Sequence, residues 1–180
     1  NTSTAVGLYA TGNLAGTTIE SSLFTGGRRG ALLVNARDLA FGGLGRGNTI
    51  SNSLTTPWSR VGTGIRAEGD LTGTIVAGNT FDGKGVGFGF VNAGNLRLEN
   101  NLFVRNRIAA ISIAGDNTGS SMTDNTFGTG IWRNGRILLR AAGSVRGSVR
   151  VHATRRPGHT RHTRRCSSDT DLGDLVIRPI

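Results

Sequence analysis

A short motif returns along this chain and restricts the fold more than any other feature. It is a polar pair ending in Asn, one spacer residue, then a large apolar residue. The clearest copies are Ala77-Gly78-Asn79-Thr80-Phe81, Glu99-Asn100-Asn101-Leu102-Phe103 and Thr123-Asp124-Asn125-Thr126-Phe127. Ile50-Ser51-Asn52-Ser53-Leu54 and Glu20-Ser21-Ser22-Leu23-Phe24 read as earlier relatives. The anchors Phe24, Leu54, Phe81, Phe103 and Phe127 are separated by 30, 27, 22 and 24 residues. A recurrence of roughly 20–50 residues marks stacked repeats, none of which can bury its apolar face alone.

Strands flank each anchor. After it come Gly30-Ala31-Leu32-Leu33-Val34, Gly64-Ile65-Arg66-Ala67, Gly87-Phe88-Gly89-Phe90, Ala110-Ile111-Ser112-Ile113 and Arg136-Ile137-Leu138-Leu139. Before it come short stretches carrying Ile19, Ile50, Ile75 or Val76, Leu98 and Met122. Apolar residues alternate with period two, as strands require, and nothing sustains the spacing of an amphipathic helix. The Leu lattice of a leucine-rich repeat is missing, and propeller blades are longer, at about 40 residues. The expected fold is all-β: a right-handed parallel β-helix of about five coils over residues 1–143.

Stacking at about 4.8 Å places equivalent side chains above one another. The anchors form one expected ladder. Leu32/Val34, Ile65/Ala67, Phe88/Phe90, Ile111/Ile113 and Ile137/Leu139 form another, which leaves Leu33, Arg66, Gly89, Ser112 and Leu138 pointing outward. Asn52, Asn79, Asn101 and Asn125 share one repeat position. Asn tolerates a left-handed corner and can bond to the amide one coil away. The alternative, a row of ligand-binding amides, is weaker.

The Asn-x-Phe/Leu element followed by a Gly-led apolar strand resembles the right-handed parallel β-helix repeat of the pectin-lyase-like superfamily, over roughly residues 6–143. The resemblance implies architecture. The superfamily includes polysaccharide lyases, hydrolases and epimerases, phage tail spikes and bacterial surface proteins. It therefore implies a secreted or cell-surface setting and contact with carbohydrate.

Composition agrees with a fold that turns often, since Gly supplies 29 residues and Pro only 3. The single cysteine, Cys166, excludes an internal disulfide framework. No apolar run reaches the roughly 20 residues of a membrane span. The start at Asn1, with no Met or signal-like segment, reads as an excised or processed piece of a longer protein. The formal charge is +10, carried by Arg far more than by the one lysine, Lys84. Beyond residue 143 the repeat stops. Residues 144–180 hold all three His and Cys166, run rich in Arg, and read as a basic tail that is irregular, disordered or translated out of frame. Nucleic acid is an expected partner only through this tail.

No catalytic constellation is visible. Inverting glycosidases need a carboxylate pair roughly 6.5–9.5 Å apart, and the expected outward positions hold none. Asp38, Asp70, Asp82, Asp116 and Asp124 fall mainly in turns, where Asp bonds to local backbone. His159 and His162 stand near one Cys and lack zinc-site spacing. No metal site and no cofactor are expected. Arg28, Arg29, Arg105, Arg107 and Arg133 lie at or near the segment between an anchor and its following strand. In a stack they share one edge, suited to an acidic polysaccharide. Trp58 and Trp132 are the only aromatic candidates for sugar stacking. The leading expectation is a non-catalytic module of a larger protein that contacts carbohydrate. A fragment of a polysaccharide-active enzyme, or a structural or adhesive spacer, are the alternatives. The sequence fixes no oligomeric state.

Overall fold

The computed structural model describes residues 5–52 and 62–128 in full and residues 139–142 as backbone. The chain winds through a long strand and two short ones in each coil. Coil 1 holds β1 (Val6–Asn13), β2 (Thr18–Ile19) and β3 (Leu23–Thr25); coil 2 holds β4 (Arg29–Arg37), β5 (Ala40–Gly42) and β6 (Thr49–Ser51). Coil 3 holds β7 (Thr63–Asp70), β8 (Ile75–Ala77) and β9 (Thr80–Asp82); coil 4 holds β10 (Val86–Gly94), β11 (Arg97–Glu99) and β12 (Leu102–Val104). Coil 5 holds β13 (Ala109–Ala114), β14 (Ser121–Thr123) and β15 (Thr126–Phe127), and β16 (Leu139–Ala142) starts a further turn. First, second and third strands stack as three parallel sheets, A, B and C. The expected five-coil parallel solenoid is therefore the fold.

Val6, Arg29, Thr63, Val86 and Ala109 share one register position. Coils 1, 3 and 4 thus span 23 residues and coil 2 spans 34. The inner columns are continuous. Ala31, Ile65, Phe88 and Ile111 stack in sheet A, and Ile19, Phe41, Val76, Leu98 and Met122 stack in sheet B. In sheet C, Phe81 and Phe103 stack with centroids 4.7 Å apart, and Phe103 and Phe127 with 5.4 Å. A Cβ on Gly87 would lie 2.7 Å from Phe103 Cδ1 and 2.6 Å from Ala110 O. Glycine there leaves room for the ring, so the Gly near the start of β1, β4, β7 and β10 is a packing requirement, while β13 carries Ala110 at that position.

Coil 2 departs from the expected register. Ile50, and not Leu54, pairs with Phe24 below and Phe81 above. Phe41 takes the sheet B position expected for Ile50. The cause is the glycine-rich stretch Gly42–Gly47, which lengthens the connection between β5 and β6 and moves the motif to Asn48-Thr49-Ile50. Two further shifts differ in kind: the apolar run in β4 fits either phase and takes the other one, whereas β16 keeps its phase and pairs two residues later than expected. Ala31 and Leu33 face inward in β4, not Leu32 and Val34. Leu139 and Ala141 take the inner register positions of β16, not Ile137 and Leu139, and Arg140 takes the outer position expected for Leu138. Leu54, Ile137 and Leu138 lie outside the described residues, as do residues 144–180.

The asparagine ladder runs through Asn48, Asn79, Asn101 and Asn125, so Asn48 replaces Asn52 as its first member. Asn48 Nδ2 donates to Asn79 Oδ1 at 3.0 Å, Asn79 Nδ2 to Asn101 Oδ1 at 3.0 Å, and Asn101 Nδ2 to Asn125 Oδ1 at 3.0 Å. Each backbone N–H also donates to the next Oδ1, at 2.9 to 3.0 Å. In coils 3, 4 and 5 the left-handed corner belongs to the residue before the ladder, namely Gly78, Asn100 and Asp124, and in coil 1 Ser21 takes it ahead of Ser22. The ladder residues themselves work through their side chains, which satisfy buried donors and acceptors.

At the corner between sheets A and B, two kinds of coil alternate. Coils 1, 3 and 5 read Gly12-Asn13-Leu14-Ala15-Gly16-Thr17, Gly69-Asp70-Leu71-Thr72-Gly73-Thr74 and Gly115-Asp116-Asn117-Thr118-Gly119-Ser120. Coils 2 and 4 read Asn35-Ala36-Arg37-Asp38-Leu39 and Asn92-Ala93-Gly94-Asn95-Leu96. In the second type, Asn35, Asp38, Asn92 and Asn95 all have positive φ. That tight path leaves one carbonyl and one N–H to be satisfied from above. Thr74 Oγ1 donates to Ala36 O and accepts from Leu39 N; Ser120 Oγ donates to Ala93 O at 2.6 Å and accepts from Leu96 N at 3.0 Å.

Candidate binding edge

The corner between sheets C and A carries the basic residues singled out in the sequence. Arg28 lies between β3 and β4, Arg29 opens β4, and Arg105 and Arg107 lie between β12 and β13. Arg28, Arg105 and Arg107 are exposed and Arg29 is half-buried. The two groups share one edge and stand three coils apart, about 14 Å along the axis. Arg133 lies outside the described residues, as do Trp58 and Trp132.

The edge is not uniformly free. Arg105 forms a two-point pair with Asp82, its Nε donating to Oδ1 at 2.6 Å and its second nitrogen to Oδ2. Asp82 is the last residue of β9, not a turn residue as expected. The hydrogen bond and charge of Asp82 raise the Arg105 pKa further. Among the described residues, Arg28 and Arg107 have no carboxylate partner.

Lys84 sits between these groups, and sequence reasoning missed it as a structural residue. Its side chain is fully buried, and Nζ donates to Gly26 O at 2.9 Å, across two coils. Burial pushes its pKa down to about 8. Asn52 and Asn106 belong to the same corner. Asn52 Nδ2 donates to Gly83 O and Asn106 Nδ2 to Phe81 O, while both Oδ1 atoms are buried without a partner.

The corner between sheets A and B has the opposite character, with Asp38, Asp70 and Asp116 beside Arg37. A shallow cleft of about 320 Å³ lies there, lined by Gly69, Asp70, Asn92, Gly94, Asn95, Asp116 and Thr118. Asp70 Oδ1 accepts from Thr72 Oγ1 at 2.7 Å and Thr72 N at 3.1 Å. Asp116 is held in the same way by the hydroxyl and N–H of Thr118. These bonds, the hydroxyl first in each case, hold both carboxyls below the usual range. Both carboxyls are committed to local bonds within the turn that follows, the role expected for them, although Asp70 itself ends β7. Among the described residues, no three His, Cys, Asp or Glu are grouped to hold a metal. No helix among them is long and apolar enough to cross a membrane.

The sequence model of the family described as right handed beta helix region matches residues 1–140. Comparison with curated proteins and with solved structures found no match. The matched span covers all five coils, and the chain belongs to the right-handed β-helix family.

Proposed function

We propose that this chain is a non-catalytic β-helical module of a larger secreted or cell-surface protein, and that it holds an acidic polysaccharide along the edge between sheets C and A. One observation carries the reading. Among the described residues, that edge presents Arg28, Arg29, Arg105 and Arg107 against a single carboxylate, Asp82, which is already paired. The opposite corner concentrates Asp38, Asp70 and Asp116. An anionic chain is drawn to the first edge and repelled from the second, since fields of one sign along a rigid surface steer charged ligands. Guanidinium groups match carboxylates in planar, two-point geometry, as Arg105 does with Asp82.

The test is calorimetric titration with a polyuronate and with a neutral polysaccharide of similar length. The reading expects binding of the polyuronate alone, with no new chain ends after prolonged incubation. Equal binding of the neutral chain would contradict recognition by charge. Chain cleavage would favour the enzyme reading, for which the cleft beside Asp70 and Asp116 is the place to look.

A further inference from the structure

Coils 3 and 5 rest on the coils beneath them through the same contacts. Gly69 and Gly115 leave the space that Asn35 Oδ1 and Asn92 Oδ1 occupy. Gly73 and Gly119 leave the space for Asp38 Oδ1 and Asn95 Oδ1. Thr74 and Ser120 then close the contact with their hydroxyls.

Coil 1 carries the same elements on its underside. Gly12 and Gly16 have φ of 87° and 78°, matching 78° and 75° at Gly69 and Gly73. Thr17 stands where Thr74 and Ser120 stand. Among the described residues, nothing lies within 4 Å of a Cβ placed on Gly12 or Gly16, and the Thr17 hydroxyl has no hydrogen bond. The strands β1, β2 and β3 are the outermost of their sheets. Leu8, Ile19 and Phe24 are only partly buried, whereas Ala31, Phe41 and Ile50 above them are fully buried.

We infer that the underside of coil 1 is a built docking surface for one more coil of the second type, supplied by the same polypeptide and carrying Asn-Ala-x-Asx-Leu. The surface continues an interface that the chain already makes twice, coil 3 on coil 2 and coil 5 on coil 4. Three parallel strand edges and an apolar cross-section need a cover to prevent unplanned pairing. Among the described residues, a second copy of this chain offers no suitable coil. Its own second-type coils, 2 and 4, are each covered on both faces.

The register gives a direct test. Val6, Val86 and Ala109 are equivalent, so stretches 63–85 and 86–108 both splice directly ahead of Val6 in the otherwise complete chain. One is a first-type coil and the other a second-type coil of equal length. The second-type extension is expected to slow amide exchange in β1 by about tenfold or more and to raise the Tm. Replacing both asparagines at its corner (N92A and N95A in the added copy), or Thr17→Val in coil 1, removes most of that gain. The first-type extension gives little. Equal protection by both extensions, or protection by neither, overturns the inference.

Discussion

Asn79 and Asn101 are joined twice, because the side-chain nitrogen and the backbone N–H of Asn79 both donate to Asn101 Oδ1, at 3.0 and 2.9 Å. Asn101 Nδ2 in turn donates to Val76 O at 2.9 Å and to Asn125 Oδ1. Truncating Asn101 therefore removes bonds from buried groups on coils 3 and 5. Each stranded group costs about 1–3 kcal/mol. Asn101→Ala is expected to destabilise the chain by about 3 kcal/mol or more in urea unfolding. Asn100→Ala, on the exposed neighbour, removes no ladder bond and should cost less.

Phe103 lies between Phe81 and Phe127 in the stacked column and is fully buried. Phe103→Ala leaves a cavity shared by three coils and is expected to cost about 3–5 kcal/mol. Leu102→Ala, one residue away on the outer face, should change stability by about 0.5 kcal/mol or less. Chemical denaturation of the pair separates inward from outward positions directly.

Lys84 makes stability depend on alkaline pH. Its folded pKa of about 8 lies below the ordinary 10.5, so the unfolded chain binds more protons between those values. Stability then rises with pH through that window, by an amount on the order of 3 kcal/mol at most. Below pH 8 both states are protonated and the full cost of burying the ammonium is present. Comparison with Lys84→Met isolates this effect, because the variant lacks the group. The gap between the two unfolding free energies should shift in favour of the wild type from pH 8 to pH 10. A constant gap would contradict the burial of a charged Lys84.

Asp82 competes with any anionic ligand for Arg105. Asp82→Asn removes the negative charge and frees the guanidinium. Affinity for a polyuronate is expected to rise about threefold or more, within the range for exposed charge pairs. Arg105→Ser should weaken binding less than Arg107→Ser, since Arg105 is already engaged. Both are read by calorimetric titration at low salt, where exposed charges are least screened.

The architecture was legible because coils 3, 4 and 5 repeat Asn79-Thr80-Phe81, Asn101-Leu102-Phe103 and Asn125-Thr126-Phe127 with little length variation. Coil 2 was misread because Asn48-Thr49-Ile50 and Asn52-Ser53-Leu54 are both acceptable motifs, and only stacking against Phe24 and Phe81 selects the first. Leu32-Leu33-Val34 has no polar residue to fix its phase, so a local pattern leaves the inward side open. The alternation of coil types was readable from Gly69 to Thr74 against Gly115 to Ser120, but only by comparing coils two apart. The burial of Lys84 was not readable, because it depends on a carbonyl two coils away. The shared edge of Arg28, Arg29, Arg105 and Arg107 followed from the repeat. The engagement of Arg105 by Asp82 needed the exact stacking of coils 3 and 4.

The most direct test of the proposed function is the salt dependence of polyuronate binding, measured for the wild type and for a variant with Arg28, Arg29 and Arg107 all changed to Ser. These residues lie on the surface or its margin, and circular dichroism of the variant is the check that its fold is retained. The account predicts that wild-type affinity falls steeply from about 20 to 200 mM salt, as the screening length shrinks. The variant binds at least about tenfold more weakly at low salt and shows a shallow dependence. Salt-independent binding, or equal affinity in the variant, would contradict an acidic polysaccharide site on the edge between sheets C and A.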